Sequence, residues 1–297
     1  GIRDYKVTGV QTCALPICGH ARVWSRLTKR PSAIAGMFIL AVFGGMAVAA
    51  LLGIIGQDWA NTGPESWAAP GPDHWFGTNR IGQDIFNRTI FSAYTAFEVG
   101  VIVSLSATLL GAVLGGLSGW FSQRAADELI LWVMGVLDSI PFYLFVAAVA
   151  YAMQGSAWAM HIGMIVTFWT GTARLVRGEV IRIREREFVT AARAIGLPTG
   201  KIILRHVLPN TAHILLVQAT LVFVAAIKTE VILSFLGLGR KDSVSWGVML
   251  AESTQEVLSG HFANFIAASG FLFVLLLALN VLGDALQEMF DLRGENA

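Results

Sequence analysis

Long apolar runs separated by short polar stretches set the plan of this chain. Residues 34–55, 97–120, 129–153, 158–172, 211–230 and 265–282 read as six membrane spans. Each approaches the roughly 20 apolar residues that cross a bilayer as a helix. Helices, not a barrel, are predicted, because each run can satisfy its own backbone within lipid. The fourth run is somewhat short, with Thr167, Thr170 and Thr172 as polar residues that bond back to their own helix. In the second, Gly111, Gly115 and Gly119 recur every fourth residue and so share one helix face, where another helix can approach closely.

The third run holds Pro141, which removes a backbone donor and predicts a kink. Asp138 and Ser139 stand beside it. A charge at mid-span costs about 2.5–3.5 kcal/mol on insertion scales, so Asp138 must face protein or water. It lines a solute pathway with Ser139, or it is a structural cap satisfied by neighbouring backbone. Lys228 and Glu230 close the fifth run and are placed near the outer surface, and His161 reads as an interfacial donor with no assigned role.

The polar stretches differ in kind. Residues 56–95 are turn-rich, with Pro64, Pro70, Pro72 and the tryptophans at 59, 67 and 75. Residues 240–262 form a second such loop, with a short helix over 249–257. A third stretch, 123–128, is a brief connection with Asp127 and Glu128. The remaining one is basic: Arg174, Arg177, Arg182, Arg184, Arg186, Arg193, Lys201 and Arg205 crowd into 174–210. By the bias of basic residues toward the inner side, this loop is cytoplasmic. Arg22, Arg26, Lys29 and Arg30 before the first run place the N-terminal segment 19–33 on the same side, and both termini are expected inside.

Within that basic loop, 187–210 reads EFVTAARAIGLPTGKIILRHVLPN. A short helix with Ala191, Ala192, Ala194 and Ile195 on one side ends at Gly196, which takes the left-handed cap geometry with little strain. Pro198 forbids immediate continuation. A second turn over 202–208 stops at Pro209. The result is a helix–break–helix platform between spans, suited to docking another protein through small side chains.

The spacing of this stretch resembles the cytoplasmic loop of permeases of ABC importers: Glu-Ala-Ala, three residues, Gly, nine residues, Ile, any residue, Leu-Pro. Thr190, Ala191, Ala192, Gly196, His206, Leu208 and Pro209 hold those places, with Thr190 standing for Glu and His206 for Ile. Glu187 and the run RHVLPN are similar to the dipeptide/oligopeptide (and nickel) importer family, in its second-permease, C-type branch. So are HWFGTNRIGQDIFNR at 74–88, where Asn79 and Gln83 replace the usual Asp and Arg, LSFLGLG at 233–239 and SWGVMLAE at 245–252. The resemblance covers about residues 26–293. It implies an all-α permease domain over 34–297 whose loop receives force from ATPase subunits through Glu187, Thr190, Ala191, Ala192, Gly196, Leu208 and Pro209. It also implies a second homologous permease, two cytoplasmic ATPases carrying ATP and Mg, an extracytoplasmic solute-binding protein, and a bacterial or archaeal cytoplasmic membrane.

Composition agrees. Of 297 residues, 55% are hydrophobic and only 14% charged, against about 25% charged in soluble domains. The net charge of +1 comes with basic residues segregated by loop, which gives no nucleic-acid footprint. Cys13 and Cys18 lie in residues 1–18, a stretch unlike the rest that reads as translated adapter sequence or a disordered tail; without a nearby His cluster they make no metal site.

No catalytic, cofactor or metal site is expected. The stretch from Gly196 to Ile202 only superficially suggests a phosphate loop: three residues instead of four separate its glycines, and Ile202 stands where Ser or Thr would hold magnesium. Two other classes compete with the permease. An ion-coupled carrier needs several intramembrane ionisable residues, and Asp138 alone is well placed. A structural membrane protein needs no such platform.

Overall fold

The computed structural model describes residues 31–153, 156–240 and 242–291. The readings at 1–18, at the basic residues 22–30, at positions 154–155 of the short turn and at Arg293 lie outside them. Within the described residues, nine helices carry the fold: α1 Pro31–Leu51, α2 Ile85–Trp120, α3 Ala125–Ser139, α4 Phe142–Ala152, α5 Ala159–Ile183, α6 Glu187–Ala194, α7 Thr199–Phe235, α8 Trp246–Leu258 and α9 Ala263–Asp291. Among the described residues, the one bridge of extended backbone is Thr78 with Asp84. The chain is thus an all-α membrane protein. Four helices, α1, α2, α7 and α9, are long and apolar enough to cross a membrane; α3 and α4, bent by 88° at their junction, make a fifth span if taken together.

α2 is the central post. Its 36 residues reach about 54 Å at 1.5 Å per residue, well beyond the hydrocarbon core. It begins twelve residues before the second apolar run. Asp84 caps it, accepting the Asn87 N–H at 2.8 Å. Thr89 and Ser92 then hide their hydroxyls on the Ile85 and Arg88 carbonyls, so polar residues extend the helix without unpaired groups.

Along α2, the glycine face meets α5. A Cβ on Gly115 would lie 2.4 Å from the Ala173 carbonyl oxygen, and one on Gly119 would lie 2.7 Å from that of Arg177. No real side chain fits there, so backbone contact depends on glycine. Farther along, Gly100 admits the ring of Phe223 from α7.

Burial divides into three main clusters along this post. One lies at the end opposite the platform and joins α1, α2, α7, α8 and α9 around Phe43, Trp246 and Leu275. A middle one joins α2 through α5 and α7 around Val103, Met164 and Trp169. The third, around Trp120, Val180 and Val207, seats the platform. At the opposite end, Arg88 pairs with Glu252 at 2.6 Å and Arg240 with Glu98 at 2.7 Å, which ties α2 to α8 and to the turn after α7.

Three sequence readings are corrected. α7 does not end by Glu230: it runs on to Phe235, and Glu230 is buried, accepting the Ser234 hydroxyl at 2.5 Å. Its neighbour Lys228 remains exposed. His161 is enclosed against Trp158 and is not an interfacial group. α5 continues through Thr172 to Ile183, so much of the basic stretch is helical wall, not loop.

Candidate functional site

The platform grows out of local sequence. α6 opens with Glu187, an acid in the first turn where the helix dipole favours it. Thr190 returns its hydroxyl to the Glu187 carbonyl at 2.8 Å. Gly196 has φ 78°. Its N–H donates to the Arg193 carbonyl at 2.9 Å, and the Leu197 N–H to that of Ala192 at 3.2 Å. These are the paired bonds of a Schellman cap. Pro198 then lends its carbonyl to the first turn of α7.

Val189 and Ala192 turn inward onto Trp120, Val176, Val180, Ile183, Ile202 and Val207. Its small size suggested that Ala192 is open to a partner, but it is only 6% exposed and seats the platform on its own chain. The outer face carries Glu187, Thr190, Ala191 and Ala194, flanked by Phe188 at 41% and Ile195 at 77% exposure. Phe188 had no place in the sequence reading; it lies exposed on α6, as Ile195 does at the C-cap.

A further correction concerns Pro209. The chain does not stop there. Ile203–Val207 widens into a π-helical stretch, and the helix passes through Leu208 and Pro209 unbroken. A proline lacks the N–H and crowds the carbonyl four residues back; a wider turn relieves that clash. The Asn210 side chain donates to the His206 carbonyl at 2.5 Å, and the Thr211 hydroxyl to that of Leu208 at 2.8 Å. Leu208 itself lies over Gly116 of α2. The platform is therefore continuous with a span of 37 residues.

Above the platform, one carboxylate locks three elements. Asp127 of α3 is buried. It takes both Nε and Nη2 of Arg177 at 2.8 Å, the Ser118 hydroxyl at 2.5 Å and the Gln123 N–H at 2.9 Å. Such fork-to-carboxylate geometry is the strong form of ion pair, and it holds α2, α3 and α5 together beside α6. Sequence reading saw Asp127 as a loop acid; nothing local marks its partner fifty residues on.

Asp138 lies at the break between α3 and α4. Its carboxylate accepts from Arg174 and, at 3.1 Å, from the Thr170 hydroxyl. It borders a cleft of about 490 Å³ between the break, α5 and α7, whose walls include Thr167, Phe168 and Gln218. Ser139 does not join it: its hydroxyl bonds back to the Val136 carbonyl, on the exposed side. Among the described residues no group of His, Cys, Asp and Glu is arranged to hold a metal ion.

An all-α bundle of membrane-crossing helices with an amphipathic platform at one end defines an integral membrane protein. Comparison makes the class definite. Residues 107–294 match the family described as binding-protein-dependent transport system inner membrane component. The chain is 37% identical over 273 residues to the dipeptide transport system permease protein DppC of Bacillus subtilis, covering 90% of this chain and 84% of that protein. It is 32% identical over 217 residues to the oligopeptide permease OppC of the same organism, covering 73% and 70%. With OppC of Mycobacterium bovis it shares 35% over 218 residues, 72% and 74% of the two chains. The chain belongs to this family: it is a multi-pass inner-membrane permease subunit of an ABC importer. Such a permease works with partner ATPases, which hydrolyse the ATP, and with a solute-binding protein.

Proposed function

We propose that this permease carries peptides inward as one half of a pore built with a second, homologous permease. The observation that supports this most is similarity across nearly its full length to proteins named for dipeptide and oligopeptide transport. In this reading the basic residues from Arg174 to Arg205 put the platform in the cytoplasm, and both termini lie there as well. Two ATPases, holding ATP and Mg, sit beneath the pair of permeases, and the binding protein delivers solute from the other side.

The outer face of α6, with Glu187, Phe188, Thr190, Ala191 and Ile195, fills a groove on one ATPase. Gly196 sets the angle between that face and α7, and Leu208 and Pro209 carry the helix onward. Because α7 is unbroken from platform to far end, a push on α6 tilts a lever about 55 Å long at 1.5 Å per residue. The Asp138 cleft lies against that lever, so tilting opens or closes it. ATP-dependent closure of the ATPases thereby shifts the bundle between two arrangements by differential binding. Co-expression with its partners, followed by uptake of labelled di- and oligopeptides into proteoliposomes, tests the reading. ATP-dependent peptide uptake is expected; uptake driven by a proton gradient without ATPases would overturn it.

A further inference from the structure

A second cleft, of about 620 Å³, opens beside the platform and has a different character from the one at Asp138. The end of α2 supplies Trp120 and the turn after it Arg124, the turn after α5 supplies Arg184 and Glu185, and Arg193 and Thr199 close it from α6 and α7. Three guanidiniums thus face one carboxylate. Elsewhere on α5 the arginines are matched: Arg174 by Asp138, Arg177 by Asp127, Arg182 by Glu179. Among the described residues, Arg124, Arg184 and Arg193 have no such carboxylate.

These cations make ring and carbonyl contacts that do not neutralise them. Arg193 lies 4.6 Å over the Trp120 ring, and Arg124 lies 5.9 Å from that of Phe121; ring contacts use the guanidinium face and leave its N–H edge free. Arg184 spends one nitrogen on the Trp120 carbonyl at 3.2 Å, at the end of α2. The turn presenting Arg124 is itself fixed: Gln123 sits at φ 65° with its N–H on Asp127. Several forked donors round one hollow suit a phosphate group.

The position says which phosphate. Trp120 and Phe121 mark the end of the apolar post, where aromatic residues sit at headgroup level. Leu110, Val113 and Leu117, exposed at 37%, 46% and 39%, recur along α2 at helical spacing and lead down to Phe121. A headgroup in the cleft can lay its acyl chains on that stripe. We propose that this cleft binds the phosphate of an anionic phospholipid and braces the platform against the turn between α2 and α3.

The test uses the complete importer in lipid nanodiscs with phosphatidylglycerol and phosphatidylcholine in competition, retained lipid being counted by native mass spectrometry. Wild type should keep phosphatidylglycerol with about tenfold preference. The double variant Arg124→Gln, Arg193→Gln should lose that preference, whereas Arg182→Gln, whose arginine is matched by Glu179, should keep it. Equal retention of the two lipids by wild type overturns the proposal, whatever the variants do. So does binding of inorganic phosphate in the cleft with no phosphatidylglycerol retained, which would make it a site for soluble anions. Loss of the ATPases from the double variant with its lipid preference intact would assign the cleft to an acidic partner side chain and equally overturn it.

Discussion

Gly115 and Gly196 show two unlike reasons for glycine. At Gly115 the constraint is space: the Ala173 carbonyl leaves no room for a Cβ at 2.4 Å. Gly115→Leu should separate α2 from α5, at the upper end of the roughly 1–3 kcal/mol typical of overpacking or beyond it. Loss of a monodisperse complex on size-exclusion chromatography is the expected readout. At Gly196 the space is open, and nothing stands within 4 Å of a Cβ; only φ is special. Gly196→Val should cost at least the roughly 1–2 kcal/mol of a left-handed non-glycine residue, and Gly196→Asn much less, since Asn visits that region. Peptide uptake should therefore fall for Val and largely persist for Asn, with both proteins inserted normally. Asp127 is a third kind of residue, legible only through its partner. Asp127→Ala leaves Arg177 without its carboxylate, a loss toward the lower end of the about 3–5 kcal/mol for a buried pair because Arg177 is a quarter exposed, measurable as a lowered midpoint of thermal unfolding.

At the scale of elements, the platform was largely legible and its orientation was not. Gly196 and Pro198 mark the end of α6 by chemistry that needs no neighbours. Which face of an eight-residue helix is buried depends on what lies beneath it, and Ala192 proves to be on the inner side. This separates two variants that sequence alone treats alike. Ile195→Asp, on the open face, should leave the permease folded while ATPase co-purification and peptide uptake fall together. Ala192→Trp should instead damage the fold, because Trp120, Val180 and Ile202 surround the site. Similar behaviour of the two variants would show that α6 is not a docking surface. Hydropathy mislaid the start of α2 for a related reason. Thr89, Ser92 and Thr95 depress the apolar signal, yet each hydroxyl is satisfied: Thr89 and Ser92 by their own helix, Thr95 by the Val244 carbonyl at 2.7 Å.

For the whole molecule, the basic platform and the loops at the other end give opposite exposures to test. Single cysteines at Lys201 and Leu258, both exposed, should react with a membrane-impermeant thiol reagent from opposite sides, position 258 in intact cells and position 201 after lysis. Ser245 would be a poor probe despite lying in the same outer stretch, because its side chain is buried and caps α8. Labelling of position 201 in intact cells would invert the topology and move the platform out of reach of cytoplasmic ATPases.

Apolar runs, the basic stretch and the Gly and Pro punctuation determined that this chain is helical, crosses a membrane and carries a platform between spans. Those features act within a few residues, through hydrogen-bond economy, charge bias and backbone sterics, so they are written in the chain itself. The tertiary structure decided the rest. It set α5 against the glycine face of α2, carried α7 from the platform past Pro209 through the π-helical stretch at Ile203–Val207, and brought Arg177 to Asp127 and Arg174 to Asp138. Each of these depends on groups tens of residues apart meeting at contact distance. A linear pattern carries no record of such meetings, because many partners could satisfy the same residue and only packing selects one.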